Sequence, residues 1–541
     1  MKKIKTMAVL LALAVFCGVF MWNCDDSNES SPDSKEIEYT ITVINGSANK
    51  TKAFAKDTIT LTPGTVTDKV FTDWTIDPPN VAMTFGMGNK FTMPSSNVTV
   101  TGNFEDIDVY SNIPYNITNN FGQDSSTSLL VKWHQDEDVL NQTIKITPAA
   151  GSFSAPEKTI QPVAKTFYTS GQIGNISSRN VFNAEITGLT PNTLYKYRVG
   201  ADGTGWSQVF YHFTSRNSDT NFSFTVISDS QDASEPQEDM RTTLRAANNY
   251  DSDSRFFLHC GDVVERIGST NKSPIEIECY TNAANDFNVQ RPIITTQGNH
   301  DCYYNDSSSE DHTNEATIFN GFMTFAPNGE EQGDAKSRSY YFYYNRVLFI
   351  MLNTMVDTPQ HIAQAVWLDK ILEHDRDNNL SRYRIVATHK GPFGNHYYEE
   401  SRIPEMRRTY GPIYTKYKVD IVFHGHDHTY TRSVPVKLTA TTEADAALDK
   451  VDFTSKPADG TIYSIAGSTG AKKYGESTTA PKSNPLWDKG YVKRTRNTAD
   501  IDGGLFINVK VTANELIVNA MRTNGVKDDY LPDSYKVPIK K

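Results

Sequence analysis

Alternating apolar and polar positions in the amino-terminal part of the chain predict strands. Short segments with a period of two occur at residues 39–43 and 58–61, and the dipeptide Pro63-Gly64 marks a turn after them. This alternation is typical of strands that bury one face and expose the other. We therefore predict one β-rich unit over residues 37–106 and a second β unit over residues 107–218.

The second β unit carries the strand and turn signals of a sandwich. Residues 129–133 form an apolar segment that ends on Trp133, and a turn around Pro191 is followed by a further strand. Tyr195 lies just after this turn, where a tyrosine hydroxyl can return to the backbone of the turn, as in a tyrosine corner. We expect this contact to form, and we expect no chemistry from this unit.

From residue 219 the pattern changes to short apolar strands that alternate with helices. The apolar strands are predicted at residues 222–227, 255–259, 292–296, 347–352, 384–388 and 419–423. Residues 359–379 have apolar positions on one face of a helix, and we expect His361 in this helix to be exposed to solvent. Alternating strands and helices predict a layered α/β domain over residues 219–541.

The first 24 residues have the pattern of an export signal. A basic start is followed by an apolar run at residues 7–22, then by Cys24 and a polar tether at residues 25–36. Cys24 stands where a lipid-modified cysteine would begin the mature chain. Because Met21-Trp22-Asn23 lacks the small residues that usually precede such a cysteine, soluble export and an uncleaved anchor helix remain alternatives. We expect a periplasmic or cell-surface protein whose membrane contact is limited to this signal or lipid.

Charge and cysteine content narrow the function classes. A net charge of −11 argues against binding to a nucleic-acid backbone, because that partner needs a basic protein face. The body of the chain contains three cysteines, Cys260, Cys279 and Cys302, and none has the paired spacing of a thiolate metal site. One disulfide is possible in an exported protein, but the odd number favours buried thiols.

Residues that can bind a metal follow five of the predicted strands. They are Asp229, Gly261-Asp262, Gly298-Asn299-His300, His389 and Gly425-His426-Asp427-His428. Because ligands of open α/β sheets lie beyond the carboxyl ends of strands, we expect these side chains to meet at one edge. Carboxylate, amide and imidazole ligands together suit Fe, Mn or Zn. The sequence therefore predicts a site for two metal ions with one shared carboxylate.

This ordered set of motifs resembles the calcineurin-like metallophosphoesterase superfamily. The segment His424-Gly-His-Asp-His-Thr-Tyr-Thr-Arg432 looks most like purple acid phosphatases, and residues 107–218 resemble the fibronectin type III-like domain that precedes the catalytic domain there. Phe71-Thr-Asp-Trp74 and the segment from Phe91 to Phe104 resemble a β repeat module of bacterial surface proteins. The resemblance implies a multidomain fold, with two all-β domains followed by an α/β metallophosphoesterase β-sandwich flanked by helices.

The resemblance also implies a role for each matching residue. Asp262 would bridge two metals, Asp229 and His428 would hold the first, and Asn299, His389 and His426 would hold the second. His300 and His396 would face the substrate, with His300 protonating the leaving oxygen. The implied cofactors are two metal ions, Fe with Zn, Mn or Fe. The implied reaction is hydrolysis of a small-molecule phosphomonoester by a metal-bound hydroxide.

Two departures from the family pattern affect the first metal. Purple acid phosphatases carry a tyrosine ligand where this chain has Glu265, and the wider superfamily often has a histidine where this chain has Gln231. The last ligand of the first metal is therefore Gln231, Glu265 or water. Two other functions remain open: hydrolysis of phosphodiesters or nucleotides at the same site, and surface adhesion by a protein whose phosphatase domain is inert.

Overall fold

The structure of the protein is a computed structural model that describes most of the chain after residue 36. The described residues are 37–67, 69–79, 81, 89–106, 112–168, 178–231, 237–267, 276–302, 315–329, 339–397, 400, 402–475, 477, 491–494, 503–523 and 532–540. The predicted export signal, Cys24 and the tether therefore lie outside the described residues. No helix within the described ranges is long and apolar enough to cross a membrane.

The first β unit contains two small sheets around a buried tryptophan. Its strands are β1 (Glu38–Ile44), β2 (Gly46–Ala48), β3 (Lys52–Phe54), β4 (Thr58–Pro63), β5 (Lys69–Asp77), β6 (Lys90–Thr92) and β7 (Val98–Asp106). One sheet has the order β3-β1-β7-β5 and the other has the order β2-β4-β6. The side chain of Trp74 is buried between them with Ile59, Phe91 and Val100. Apolar alternation in these strands thus supplies one shared core.

The second β unit is a sandwich of two sheets. Its strands are β8 (Tyr115–Phe121), β9 (Leu129–Asp136), β10 (Thr143–Pro148), β11 (Lys158–Ile160), β12 (Val163–Tyr168), β13 (Arg179–Ile186), β14 (Leu194–Ala201), β15 (Gly205–Trp206) and β16 (Phe210–Phe213). One sheet has the order β11-β10-β14-β15, with β16 also paired to β14, and the other has the order β12-β13-β9-β8. The predicted tyrosine contact is confirmed, because the Thr190 N–H donates to the Tyr195 hydroxyl over 3.0 Å.

The first β unit is fixed to the sandwich by a buried ion pair. Lys196 on β14 is fully buried, and its ammonium contacts the Asp73 carboxylate and donates to the Trp74 carbonyl oxygen at 2.8 Å. Breaking one partner of a buried pair typically costs about 3–5 kcal/mol, since the other charge stays desolvated. The two units therefore pack as neighbours with a common buried boundary.

Two mixed sheets form the centre of the carboxyl-terminal domain. The first has the order β19-β18-β17-β27-β28-β29 and the second has the order β20-β21-β22-β23-β25-β24-β26. The first contains β17 (Phe222–Ile227), β18 (Phe257–His259), β19 (Ile293–Thr295), β27 (Leu505–Val511), β28 (Glu515–Arg522) and β29 (Asp533–Pro538). The second contains β20 (Tyr340–Tyr344), β21 (Val347–Leu352), β22 (Tyr383–Thr388), β23 (Ile421–His424), β24 (Tyr430–Ser433), β25 (Ile462–Ala466) and β26 (Tyr491–Arg494).

Helices cover the outer face of each sheet, which gives four layers. They are α1 (Glu238–Tyr250), α2 (Glu276–Asn288), α3 (Glu315–Phe322), α4 (Thr358–Asp377), α5 (Arg402–Thr409) and α6 (Gly411–Lys416). The sequence of strand β21 is apolar throughout because the strand lies between two cores. Phe349 and Met351 point into the core between the sheets, whereas Leu348 and Ile350 point into the core beneath α4 to α6. Both faces of the strand are buried, so apolar residues are continuous rather than alternating.

The sandwich also holds the carboxyl end of α3. Thr118 donates to the Phe322 carbonyl oxygen at 2.8 Å, Lys132 contacts the Asn320 and Met323 carbonyl oxygens, and a ring nitrogen of His134 lies 2.9 Å from the Gly321 carbonyl oxygen. These side chains supply donors to the carbonyl groups that a helix end leaves without partners. The sandwich is therefore part of the scaffold that holds α3 in the carboxyl-terminal domain.

Two expectations about individual side chains have different outcomes. His361 was expected to be exposed, and this prediction is wrong: its ring is buried and one nitrogen lies 2.7 Å from the Tyr410 hydroxyl. The contact joins α4 to the residue between α5 and α6, which helical periodicity alone does not reveal. No disulfide joins Cys260, Cys279 and Cys302; the first and the last are buried as expected, whereas Cys279 is only partly buried.

Candidate metal centre

The candidate ligands meet because their strands run in parallel within each sheet. Strands β17, β18 and β19 are parallel neighbours, so Asp229, Asp262 and Asn299 follow their carboxyl ends on one side. Strands β22 and β23 are parallel neighbours in the facing sheet and are followed by His389 and His426. The predicted convergence of strand ends is thus seen across two sheets rather than one.

The backbone at these strand ends is held in an unusual conformation. Asp229, Asp262 and His426 have φ angles of 48°, 54° and 69°, in the left-handed region that non-glycine residues seldom adopt. Residues in this region cost of order 1–3 kcal/mol each and cluster at functional sites. Gly298 explains part of the motif spacing, because a Cβ there would overlap the Asp262 carboxylate and backbone nitrogen. The glycine allows the two loops to approach closely.

One group of metal-binding atoms involves Asp229, Asp262 and His428. One donor atom from each of these residues lies within 4.8 Å of the others. His428 Nε2 is 3.3 Å from Asp229 Oδ1, and all three residues are buried. The outer nitrogen of His428, Nδ1, lies 3.2 Å from the Lys472 carbonyl oxygen. This contact directs Nε2 towards the carboxylates.

A second group involves Asp262 again, with His389 and His426. Donor atoms of these residues also lie within 4.8 Å of one another, so Asp262 belongs to both groups. Asn299 Oδ1 lies 2.9 Å from His389 Nε2 and 2.9 Å from His426 Nδ1. His389 Nδ1 is 2.9 Å from the Cys260 carbonyl oxygen, which leaves Nε2 facing the group. All six predicted ligands therefore lie together, with Asp262 between the two sets.

The electrostatics of the site fit bound cations. Burial raises the pKa of Asp262, but the nearby imidazoles, His389 first and then His300 and His426, together hold it well below its ordinary value. Conversely, burial lowers the pKa of His389, and the Asp262 charge opposes this and raises it to about 9. Two ionised carboxylates, Asp229 and Asp262, are buried side by side, which is unfavourable unless positive charge compensates them. The donor set of carboxylate, amide and imidazole groups suits Fe, Mn or Zn.

Gln231 and Glu265 occupy different surroundings near the first group. Gln231 is buried, and its Nε2 donates to Asp262 Oδ2 at 3.1 Å. Its amide oxygen has no hydrogen-bond partner among the residues that the structure describes. The Glu265 carboxylate, by contrast, forms an ion pair with the Lys472 ammonium and lies 3.7 Å from His300 Nδ1. The buried oxygen next to the shared carboxylate thus belongs to Gln231.

The two predicted substrate-facing histidines lie beside this centre. The His300 backbone N–H donates to Asp262 Oδ1 at 2.9 Å, and its ring Nδ1 is 2.8 Å from the Glu265 carbonyl oxygen. The His396 ring stacks on Tyr474, with ring centres 4.8 Å apart, and Tyr474 stacks on His428 at 4.4 Å. His300 thus adjoins the shared carboxylate, and His396 is separated from His428 by one aromatic ring.

Two aspartates in the motifs tie the site's loops together. The Asp301 carboxylate accepts backbone N–H groups from Asp262, Val263 and Gly298 at 3.0, 2.9 and 2.8 Å. The Asp427 carboxylate accepts the backbone N–H of His396 at 2.8 Å. Sequence reasoning gave neither residue a role. The available signal was position: Asp301 directly follows the Gly-Asn-His motif and Asp427 lies within the Gly-His-Asp-His motif.

Glu400 is a further residue that sequence reasoning missed. Its Oε2 lies 2.6 Å from His426 Nε2, and its Oε1 lies 2.7 Å from Lys390 Nζ. Glu400 precedes α5 rather than following a strand, so the pattern of strand ends does not include it. Only the folded arrangement of this loop reveals the contact.

Two comparisons of sequence identify the parts of the chain. Residues 114–215 match the family described as purple acid phosphatase, N-terminal domain, and residues 222–430 match the calcineurin-like phosphoesterase family. An uncharacterised protein of Mycobacterium tuberculosis is 25% identical over 391 residues, which are 65% of this chain and 69% of that protein. A probable purple acid phosphatase of Arabidopsis thaliana is 27% identical over 269 residues, 49% of this chain and 56% of that protein.

A solved structure agrees with the fold. The purple acid phosphatase from yellow lupin (Lupinus luteus) seeds matches with a TM-score of 0.60 over 93% of this chain and 96% of that chain, at 15% identity. At this identity the match supports the architecture alone: a mostly β amino-terminal region followed by a metallophosphoesterase domain. The chain therefore belongs to the calcineurin-like metallophosphoesterase superfamily as a purple acid phosphatase-like member, and is a metal-dependent phosphoric ester hydrolase.

Proposed function

We propose that this protein hydrolyses phosphomonoesters outside the cytoplasm with a two-metal centre. The observation that carries the proposal is the pair of donor groups that share Asp262. A shared carboxylate is what two metal ions a few ångströms apart require. Asp229 and His428 would hold the first metal with Asp262, and Asn299, His389 and His426 would hold the second with the same carboxylate.

The bound ions would supply positive charge for the phosphate oxygens and would make a coordinated water more acidic. The protein's own contribution begins with rigid placement of the ligands. The outer nitrogens of His389 and His428 contact carbonyl oxygens, so each ring presents its inner nitrogen. The Asp301 carboxylate accepts backbone N–H groups from both the Gly-Asp loop and the Gly-Asn loop, and so fixes the two loops relative to each other. The ligand geometry is therefore set before any substrate arrives.

His300 would protonate the leaving oxygen. Its Nδ1 faces the Glu265 carbonyl oxygen at 2.8 Å and carries the proton in the neutral ring, since a carbonyl oxygen can only accept. A proton for the substrate would therefore come from Nε2 of the doubly protonated ring. The Glu265 carboxylate lies 3.7 Å from Nδ1. His396 would bind the phosphate from the other side of the centre.

Gln231 would complete the first metal's ligands, and Glu265 would remain outside. A buried amide oxygen without a hydrogen bond costs free energy that a cation would recover. The hydrogen bond from Gln231 Nε2 to Asp262 fixes which way the amide points. Glu265, in contrast, is already neutralised by Lys472. Of the two side chains that the sequence left open beside water, Gln231 is thus the one whose oxygen has no cationic partner among the described residues.

Two variants distinguish these candidates by metal binding. Gln231→Leu keeps the approximate size of the side chain and removes its oxygen. Losing a hydrogen-bond partner of a ligand typically weakens metal binding by about 10–100-fold, so losing a ligand should weaken binding of one metal by at least that much. Glu265→Gln, the matched control, should keep both affinities near those of the unaltered protein. A chelator titration measures both. Loss of a metal in Glu265→Gln with none in Gln231→Leu would reverse the assignment.

The reaction class is tested with purified protein and a substrate panel. Phosphomonoesters and phosphodiesters are compared with Fe, Zn and Mn supplied in pairs, Fe with Zn, Mn or Fe being the expected combinations. Faster hydrolysis of monoesters supports the proposal. Faster hydrolysis of diesters would favour the phosphodiesterase alternative, and metal binding without any hydrolysis would favour an adhesion protein with an inert domain.

Export is the remaining element of the proposal. The basic start, the apolar run and Cys24 support cleavage before Cys24 and lipid attachment to it. The intact mass of the native protein should then lack residues 1–23 and include the lipid. A mass that begins at Met1, or at an unmodified residue, would contradict the lipoprotein.

A further inference from the structure

The three imidazoles of the metal centre share one arrangement but differ in their outer partners. In each ring, one nitrogen faces the donor group and the other contacts an acceptor. For His389 and His428 the outer nitrogen is Nδ1 and the acceptor is a backbone carbonyl oxygen. For His426 the outer nitrogen is Nε2 and the acceptor is the Glu400 carboxylate at 2.6 Å. His426 therefore has the opposite ring orientation and a charged outer partner.

This contact decides where the proton of His426 lies. An ionised carboxylate can only accept a hydrogen bond, so Nε2 must carry the proton. The lone pair of the neutral ring is then on Nδ1, which lies 2.9 Å from Asn299 Oδ1 on the side of the donor group.

Glu400 is itself held in place on both sides. Its Oε1 is 2.7 Å from Lys390 Nζ, and the side chain of Lys390 is 2% exposed. The Glu400 backbone N–H donates to the Tyr397 carbonyl oxygen at 3.2 Å, and its carbonyl oxygen accepts the Ile403 N–H at 2.9 Å. The carboxylate is thus tied to a lysine that directly follows the ligand His389.

We propose that Glu400 is a positioning residue that makes Nδ1 of His426 the atom that binds the second metal. The inference rests on the metal centre of the proposed function. A carboxylate on the outer nitrogen also makes the imidazole a stronger donor, and loss of such a partner typically costs about 10–100-fold in metal affinity. Glu400 thus acts on one metal of the pair, because its contact is with a ligand of that metal alone.

Zinc titration of the full protein against a competing chelator tests the first part. The unaltered protein should bind two zinc ions per chain, and Glu400→Ala should weaken one of them by about 10–100-fold while the other is unchanged. Glu400→Gln keeps an oxygen that can accept the hydrogen bond from Nε2 but loses the charge. The zinc affinity of this variant should therefore lie between that of the unaltered protein and that of Glu400→Ala. Glu373→Ala, an exposed acidic residue on α4, is the control and should bind zinc normally.

A crystal structure of the zinc-loaded protein tests the second part and needs no variant. Zinc should be bound to Nδ1 of His426, with Nε2 donating to Glu400. Zinc on Nε2, or zinc affinities in Glu400→Ala equal to those of the unaltered protein, would overturn the inference. Failure of the unaltered protein to bind zinc at all would instead refute the proposed metal centre. If Glu400→Ala does not fold, Glu400→Gln and the crystal structure still decide the question.

Discussion

The Asp301→Ala substitution should loosen the loops that carry the shared ligand. Asp301 binds no metal in this account, but its two oxygens accept three well-formed backbone hydrogen bonds from two separate loops. Alanine removes both oxygens and leaves the N–H groups of Asp262, Val263 and Gly298 buried. The effect should therefore pass to the site through the backbone of Asp262, although the ligand itself is unchanged.

The size of the effect follows from these three contacts. A net contribution of about 1–1.5 kcal/mol for each hydrogen bond gives a local loss of roughly 3–5 kcal/mol. This is less than the about 5–15 kcal/mol stability of a typical protein, so the variant should still fold. Since about 1.4 kcal/mol corresponds to a tenfold change, protection of the loop amides from exchange should fall by about a hundredfold to several-thousandfold.

Hydrogen exchange by mass spectrometry and a metal titration measure the two consequences. Peptides that contain residues 261–264 and 297–301 should exchange faster, and affinity for both metals should fall, because Asp262 serves both. Asp375→Ala is the matched control: Asp375 is fully buried and accepts from Ser381 Oγ and Arg384 Nε, but it lies away from the site. It should lose stability and keep both metals. Normal exchange and normal metal affinity in Asp301→Ala would refute the reasoning.

Three further predictions address catalysis, spectroscopy and loop packing. His300→Ala should reduce turnover by roughly 10²–10⁴-fold with metal content intact, and the loss should shrink for nitrophenyl esters relative to alkyl esters, since a good leaving group needs no proton. The iron-loaded protein should be colourless or pale because Glu265 stands where purple phosphatases have the tyrosine whose charge transfer gives them their colour; a purple iron-loaded protein would mean that another tyrosine reaches the metal. Gly298→Ala should lose both metals, since its Cβ would overlap the Asp262 carboxylate; full metal occupancy in that variant would contradict the tight approach of the two loops.

The alternation of strands and helices in the catalytic domain was accessible from the sequence, whereas the two-sheet arrangement was implied only by the family resemblance. The apolar strand predicted at residues 347–352 is observed as β21, and the helix expected at residues 359–379 is observed as α4, Thr358–Asp377. Asp357 caps this helix by accepting the Gln360 N–H at 3.0 Å, which explains its start before Pro359. The buried boundary of the two β units could not be predicted, because Lys196 and Asp73 pair across 123 positions.

The candidate site shows the same division between local and long-range information. The meeting of the candidate ligands could be predicted because each lies within a few residues of the carboxyl end of a strand, so local sequence and sheet geometry together fix its place. The choice between Gln231 and Glu265 could not be made from the sequence, since it depends on Lys472 contacting one of them. Glu400 was missed for a related reason: its carboxylate reaches His426 from the loop before α5. A residue that positions a ligand from a different loop or helix, as Glu400 does, shows no pattern in its own stretch of sequence that would reveal the contact.

The assignment of the Cys24 lipid, the fibronectin-like identity of the sandwich and the origin of the first β unit stay predictions. The first β unit packs on the sandwich through Lys196 and a shared apolar boundary that includes Ala149 and Leu194. It is therefore a fixed neighbour of the sandwich in the folded chain.

The most direct test of the central claim is the metal content of Asp262→Asn. Asp262 is the one residue common to both donor groups, and asparagine keeps its size while removing the charge that two cations would share. Elemental analysis should find two metals per chain in the unaltered protein and should find both positions depleted in Asp262→Asn, together with loss of phosphomonoester hydrolysis. Two metals retained per chain of Asp262→Asn, with near-normal turnover, would contradict the account.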